Sequence, residues 1–362
     1  MITKNIFGIV LVFCSYFSLT TSDLKVFTNF SDTESFEIQG RTSATSNGLE
    51  LISSASSLSF KPSGDALELY VSSTSGEQNY IEISVNGNYM DKYLIEKQGT
   101  TSISIDLPSA EVNTIVVYKA TEATSGGVLI HKIEAEDLGK IENNHALTIE
   151  FIGDSITCGM GGDTEEIPCG TGKNWFDQHS AYYSYGSQIA LRLNANFTLS
   201  CVSGMGMYRN WNDEDQHVMP DVYNTLYLNA DESNKWKPVV TPDIVSICLG
   251  TNDLSNGDGK KPRTNFSKEK FTQNYIDFVG MIYKKYPQIK VVLLNSPMVK
   301  GADNELLLEC LQKVQNTYKN TNEIYLFKFR DINPTGCTTH PAIKEHAEMA
   351  RQMVPKFKSI AL

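Results

Sequence analysis

Two kinds of hydrophobic spacing divide this chain near residue 143. Over 23–143, apolar and polar side chains alternate in short runs, as in Ala66-Leu67-Glu68-Leu69-Tyr70-Val71 and Tyr80-Ile81-Glu82-Ile83-Ser84-Val85. A period of two places every second residue on one face of a strand, and turn-forming pairs such as Asn86-Gly87 and Ser125-Gly126-Gly127 break the runs. The pattern predicts strands over 58–60, 66–71, 80–85, 102–107, 114–118 and 128–135, and no amphipathic helix. Short, half-buried strands at this spacing make a β-sandwich, here of jelly-roll-like type.

From 144 to 362 the pattern changes. Continuous apolar runs at 147–152, 197–202, 244–249, 290–294 and 324–329 suit strands buried on both faces. Helical periodicity fills 181–193, 268–286, 305–318 and 341–357. Strand–helix alternation predicts an α/β domain, with five parallel strands between helical layers. Sites in such folds gather beyond the carboxyl ends of the strands.

At 362 residues the chain has room for two cores. A net charge of −11 argues against nucleic acid or an anionic membrane as partner. Residues 1–22 read as a signal peptide: Lys4 precedes an apolar stretch over 6–19, and Thr20 and Ser22 suit a cleavage site. The stretch is too short to span a bilayer, so the expected destination is extracellular, with no membrane attachment after removal of the leader.

Cys14 would leave with the leader, and the mature chain keeps Cys158, Cys169, Cys201, Cys248, Cys310 and Cys337. Cys158 and Cys169 flank one loop and form the expected disulfide, with Cys310–Cys337 a weaker pair. Cys201 and Cys248 lie in apolar runs and read as buried thiols. No His/Cys cluster has zinc spacing, so neither metal nor other cofactor is expected. Asn29, Asn196 and Asn265 open N-glycosylation sequons.

Three islands carry the chemistry. Gly153-Asp154-Ser155 follows the strand at 147–152, Gly250-Thr251-Asn252-Asp253 follows that at 244–249, and His340-Pro341 opens the last helix. A serine, an amide donor and a histidine are the parts needed for acyl transfer. Ser203-Gly204-Met205-Gly206 follows another strand and offers a further backbone donor. Taken singly, each island also reads as ordinary turn or cap chemistry. Of the other histidines, His131, His145 and His346 read as structural or junctional, whereas His179 and His217 sit in loops within reach of a substrate. Tyr208, Trp211, Trp175 and Trp236 also lie in predicted loops, where aromatic faces suit sugar rings.

Together the blocks at Gly153-Asp154-Ser155, Gly204, Gly250-Thr251-Asn252-Asp253 and His340-Pro341 resemble those of the SGNH (GDSL) hydrolases. The longer text around them is similar to carbohydrate esterase family 2, which includes acetylxylan esterases. That text comprises Gly153 to Gly159, the tyrosines at 182, 183 and 185, Ser203-Gly204-Met205-Gly206, and Pro242-Asp243. The resemblance implies a β-sandwich followed by a flavodoxin-like SGNH domain. It implies Ser155 as nucleophile, His340 as base, and Ser155, Gly204 and Asn252 as the oxyanion hole. The implied activity is O-deacetylation of plant polysaccharides such as xylan or mannan. The alternatives are an SGNH lipase or thioesterase of other acyl specificity, or an inactive glycan-binding protein. One departure stands out: the family's acid, three residues before the histidine, is Cys337 here. Either a main-chain carbonyl, as in some members of the resembled family, or Asp331 is left to orient His340.

Overall fold

The computed structural model describes residues 24–108 and 112–361; the expected leader and Cys14 lie outside them. The first domain is two antiparallel sheets face to face. One runs Thr42–Thr45, Gly48–Leu51, Val128–Ala135, Ala66–Ser73, Thr101–Asp106, with Lys25–Phe27 also paired to Val128–Ala135. The other runs Asp137–Gly139, Ser57–Ser63, Ile115–Lys119, Asn79–Val85, Asn88–Ile95, with Phe36–Gln39 paired to Ser57–Ser63. Their inner faces bury Leu49, Phe60, Leu69, Ile83, Val117 and Ile130, the in-pointing members of the alternating runs. The strand Asn88–Ile95 escapes the sequence pattern because it is a polar edge strand, half-exposed along most of its length.

The second domain has a five-stranded parallel sheet in the order Asn196–Cys201, Thr148–Gly153, Ile244–Cys248, Lys290–Leu294, Ile324–Phe327. This is the flavodoxin-like order, in which the chain starts centrally, steps to one edge and then fills the other side. Helices Tyr185–Leu193 and Ile343–Ala361 cover one face, packing Ile189, Met349 and Phe357 on Phe151 and Leu199. Helices Lys268–Lys285 and Gly301–Tyr318 cover the other, packing Phe271, Tyr275 and Leu311 on Ile247 and Leu293. The first of these helices begins at Tyr185 rather than at 181, because Ser184 caps it by accepting from the Ser187 N–H. No helix among the described residues is long and apolar enough to cross a membrane.

The two domains share buried charge. Arg41 of the sandwich is fully buried inside the second domain. Its guanidinium donates to the carbonyls of Thr225 (2.5 Å) and Tyr223 (2.9 Å) and to Ser200 Oγ (3.0 Å). It lies 3.9 Å from Glu150 and stacks 3.7 Å above the Trp236 ring. Burial pulls its pKa down to about 10, with Glu150 opposing, so the charge persists at neutral pH. Lys92 likewise reaches across to Asp163 (3.2 Å) and to the carbonyls of Asp177 and His179 (2.8 Å each).

Removing one member of a buried pair strands the other, at a cost of roughly 3–5 kcal/mol. Arg41→Ala should therefore lower unfolding stability by about that amount in a denaturant titration. Lys25→Ala, which breaks the exposed contact to Asp137, should leave the midpoint where it is. Equal midpoints for the two variants would mean that Arg41 does not anchor the domains.

Candidate active site

The strand Thr148–Gly153 delivers Ser155 to the carboxyl edge of the sheet. Gly153 permits the turn, since a Cβ there would stand 2.0 Å from Thr157 Oγ1. Asp154 caps the one-turn helix Ser155–Cys158, its carboxylate accepting from the Ile156 N–H at 3.1 Å. Ser155 thus takes the first helical position, where backbone donors lack intrahelical acceptors. Its Oγ lies 2.7 Å from His340 Nε2, both residues being nearly buried.

His340 follows a turn over Cys337–Thr339 in which Thr338 and Thr339 take φ of +53° and +63°. β-Branched residues avoid that left-handed region, so the turn is strained. It directs the Thr338 carbonyl to within 3.2 Å, and Thr338 Oγ1 to within 3.0 Å, of His340 Nδ1. Thr338 Oγ1 gives its own hydrogen to the Cys337 carbonyl at 2.7 Å, so both oxygens accept from the ring. Nδ1 therefore carries the proton and Nε2 offers its lone pair to Ser155. Of the two orienting groups left open by the sequence, the main-chain carbonyl is in place. Asp331 is exposed in a separate groove beside Arg330 and Arg351.

Burial pushes His340 down to about 4, against the Thr338 carbonyl and with help from His179, so the ring is neutral at pH 7. Burial pushes Asp154 up to about 7, against the Ile156 N–H and the Thr251 hydroxyl.

Gly204 and Asn252 stand beside Ser155 in one open cavity of about 550 Å³. Gly204 has φ +80°, and a Cβ there would lie 2.4 Å from Trp211 Cδ1. Asn252 belongs to the short helix Thr251–Leu254. Its Nδ2 donates to the Met205 carbonyl (2.8 Å) and at longer range to Asp154 Oδ2 (3.3 Å). Donation to a substrate oxygen would displace or share the longer bond. Met160, Met298, Trp175 and Trp211 wall the cavity, the two tryptophans being about half exposed.

Several sequence-based expectations need correction. Tyr208 does not line the cavity: its ring packs on Phe266 and Phe271, and its hydroxyl accepts from the Ser267 N–H at 2.9 Å. Trp236 is buried beneath Arg41, and its edge borders a different groove at the domain junction. His179 is fully buried under Trp175, and His217 is exposed beside Asp221. The disulfide is Cys169–Cys337, not Cys158–Cys169. Cys158 points inward to Cys201, and Cys310 is a buried free thiol, so Cys310–Cys337 is excluded as well. Sequence proximity misled here because the fold lays the loop carrying Cys169 over the histidine turn, 168 residues away. Of the sequons, Asn29 and Asn265 are exposed, whereas Asn196 is buried at the start of its strand.

Asp253 was not singled out by sequence, although it adjoins Asn252. Fully buried, it accepts from the N–H groups of Met207, Tyr208 and Arg209, at 2.8–3.2 Å. It thereby shapes the loop that follows Gly204. Its position in the block was the available signal.

Comparison with known proteins agrees with this architecture. Residues 151–354 match the GDSL-like Lipase/Acylhydrolase family, and residues 38–144 match the carbohydrate esterase 2 N-terminal domain. The chain is 26% identical over 302 residues to the cellulase/esterase CelE of Acetivibrio thermocellus, covering 81% of this chain but only 35% of that protein. It is 25% identical over 296 residues to an acetylxylan esterase / glucomannan deacetylase of Cellvibrio japonicus, covering 76% of this chain and 78% of that one. Among solved structures, a family two carbohydrate esterase from Cellvibrio japonicus superposes with a TM-score of 0.81 at 22% identity, over 93% of this chain and 98% of that one. One from Clostridium thermocellum in complex with cellohexaose gives 0.76 at 23% identity, over 90% and 98%. The chain belongs to the GDSL-like lipase/acylhydrolase family, with a carbohydrate esterase 2 N-terminal domain ahead of the hydrolase fold.

Proposed function

We propose that this protein is a carbohydrate esterase that removes O-acetyl groups from plant polysaccharides, xylan or mannan, through an acetyl-enzyme on Ser155. The observation that carries the reading is the 2.7 Å contact between Ser155 Oγ and His340 Nε2, in a cavity walled by Trp175 and Trp211. Two half-exposed indoles offer flat apolar faces for sugar rings, as an acetylated saccharide requires. The names of the curated relatives point the same way.

In the proposed reaction His340 Nε2 takes the Ser155 proton as Oγ attacks the acetyl carbonyl. The Nδ1–H donates to Thr338 throughout and keeps the ring in the required tautomer. The Ser155 and Gly204 N–H groups and the Asn252 amide receive the developing oxyanion. His340 then protonates the departing sugar oxygen, and water repeats the sequence to release acetate. We place the protein outside the cell, a reading supported by the leader-like sequence and by a disulfide, which persists in oxidising surroundings.

Ser155→Ala and His340→Ala should abolish turnover of a chromogenic acetate ester, and Asn252→Ala should lower it about 10²–10³-fold. Undiminished turnover by Ser155→Ala would end the proposal. Acetate release from acetylated xylan and acetylated mannan, measured side by side, ranks the substrates. Acetyl against butyryl esters tests for a lipase-like acyl preference.

The pH profile follows from His340. Its folded pKa lies below the ordinary value, so the neutral base persists on acidification until about pH 4. The acidic limb of kcat/KM should fall near pH 4 rather than near the free-histidine value of about 6.5. A limb near 7 would instead report titration of Asp154.

Cys337 anchors the turn that supplies the orienting carbonyl, so Cys169→Ser should loosen the base. The expected kcat loss is up to about 10²-fold, the scale of a displaced catalytic group. Unchanged kcat in folded Cys169→Ser would assign the disulfide to stability alone.

A further inference from the structure

The loop that presents Gly204 is held by a carboxylate from the other domain. Glu122 follows the sandwich strand Ile115–Lys119, just before the turn Ala123–Ser125, and is fully buried. The Ser203 N–H donates to both of its carboxylate oxygens, at 3.2 and 3.1 Å, and Ser203 Oγ donates to Oε2. Thr124 Oγ1 donates to Oε1, and His179 Nε2 faces Oε2 at 3.4 Å. The Glu122 main chain is fixed too: its carbonyl accepts from Lys119 Nζ and Ser125 Oγ, each at 2.6 Å. Burial pushes the Glu122 carboxyl up, but the bonds from His179, Ser203 and Thr124 outweigh it and hold the group below its usual range.

Ser203 is the residue immediately before Gly204, and both line the cavity. The peptide unit between them carries the Gly204 N–H. The clamp on Ser203 N and Oγ fixes one end of that unit, and the Trp211 N–H, donating to the Gly204 carbonyl at 3.0 Å, fixes the chain just beyond it, which restricts how the Gly204 N–H can turn. The same carboxylate also bears on the cavity wall, because its partner His179 packs against Trp175, with ring centroids 5.3 Å apart.

We propose that Glu122 is a positioning residue for the oxyanion hole, through which the β-sandwich domain sets the aim of the Gly204 N–H. This rests on the esterase reading above. The competing explanation is a domain clamp that affects stability alone. The two differ in the step they touch: a positioning residue acts on the tetrahedral state and not on ground-state binding.

The test uses the full chain, a chromogenic acetate and methylboronic acid, whose boron accepts an Oγ lone pair of Ser155 as the hydroxyl proton passes to His340 Nε2, giving a tetrahedral mimic of the intermediate. Glu122→Gln should lower kcat by about 10–10²-fold, with KM held within about a factor of three. Boronate affinity should fall by a comparable factor. Ser203→Ala keeps its N–H but loses the hydroxyl, so it should show a smaller loss of the same kind. The double variant should be no worse than Glu122→Gln. If Glu122→Gln does not fold, Ser203→Ala decides alone. Lowered thermal midpoints with unchanged kcat and boronate affinity would overturn the inference and leave the clamp. A wild-type chain that binds boronate but releases no acetate would sink the esterase reading instead, and boronate affinity would still judge Glu122.

Discussion

Buried charge at the domain junction is the constraint on which this structure depends. Arg41 and Glu122 leave the sandwich to find partners in the hydrolase domain, and Glu82 does the same, accepting from Ser180 Oγ and from the Tyr182 N–H at 2.9 Å. Each is fully removed from water, and an isolated ion so placed would cost several kcal/mol. Burial raises the Glu82 carboxyl to about 7, against Lys92 and the Ser180 and Tyr182 bonds. Neither domain alone supplies these partners. The sandwich is therefore part of the hydrolase's interior, not an appendage beside it.

The same interdependence appears around the histidine. Where the family resemblance implies an acid, this chain has a half-cystine, and the carbonyl and hydroxyl of Thr338 face His340 Nδ1 instead. A neutral acceptor preserves the tautomer but, in the proposed mechanism, would contribute no charge to balance an imidazolium. Two consecutive threonines in the left-handed region are an unfavourable way to aim a carbonyl. The disulfide and the bond from the Cys337 N–H to the Gly161 carbonyl, at 2.9 Å, hold the turn at its start, and the Gly336 N–H donates across it to the His340 carbonyl at 2.8 Å.

Much of this was legible in the sequence. The change of hydrophobic period located the two architectures, and the buried runs located all five parallel strands, because both signals come from local spacing. Ser155, Gly204, Asn252 and His340 were legible because each ends a strand or opens a helix at the edge where such sheets converge. What failed was whatever required knowing which distant segments touch. Trp236 and Trp175 look alike in sequence, yet one lies under Arg41 and the other borders the cavity. Glu122 carried no local signal, since its partners across the domain junction come from 179 and 203. The Cys169–Cys337 pairing is hidden from local spacing for the same reason.

Gly204 and Trp211 share one space: any Cβ on the glycine would collide with the indole that walls the cavity. Replacing Trp211 would therefore alter which residues position 204 tolerates, subject to the conformational penalty of its positive φ. Conversely, no side chain can be introduced at 204 while the indole stays put. Substitutions at these two sites are epistatic, and a library that varies either one alone will sample only part of the accessible enzymes.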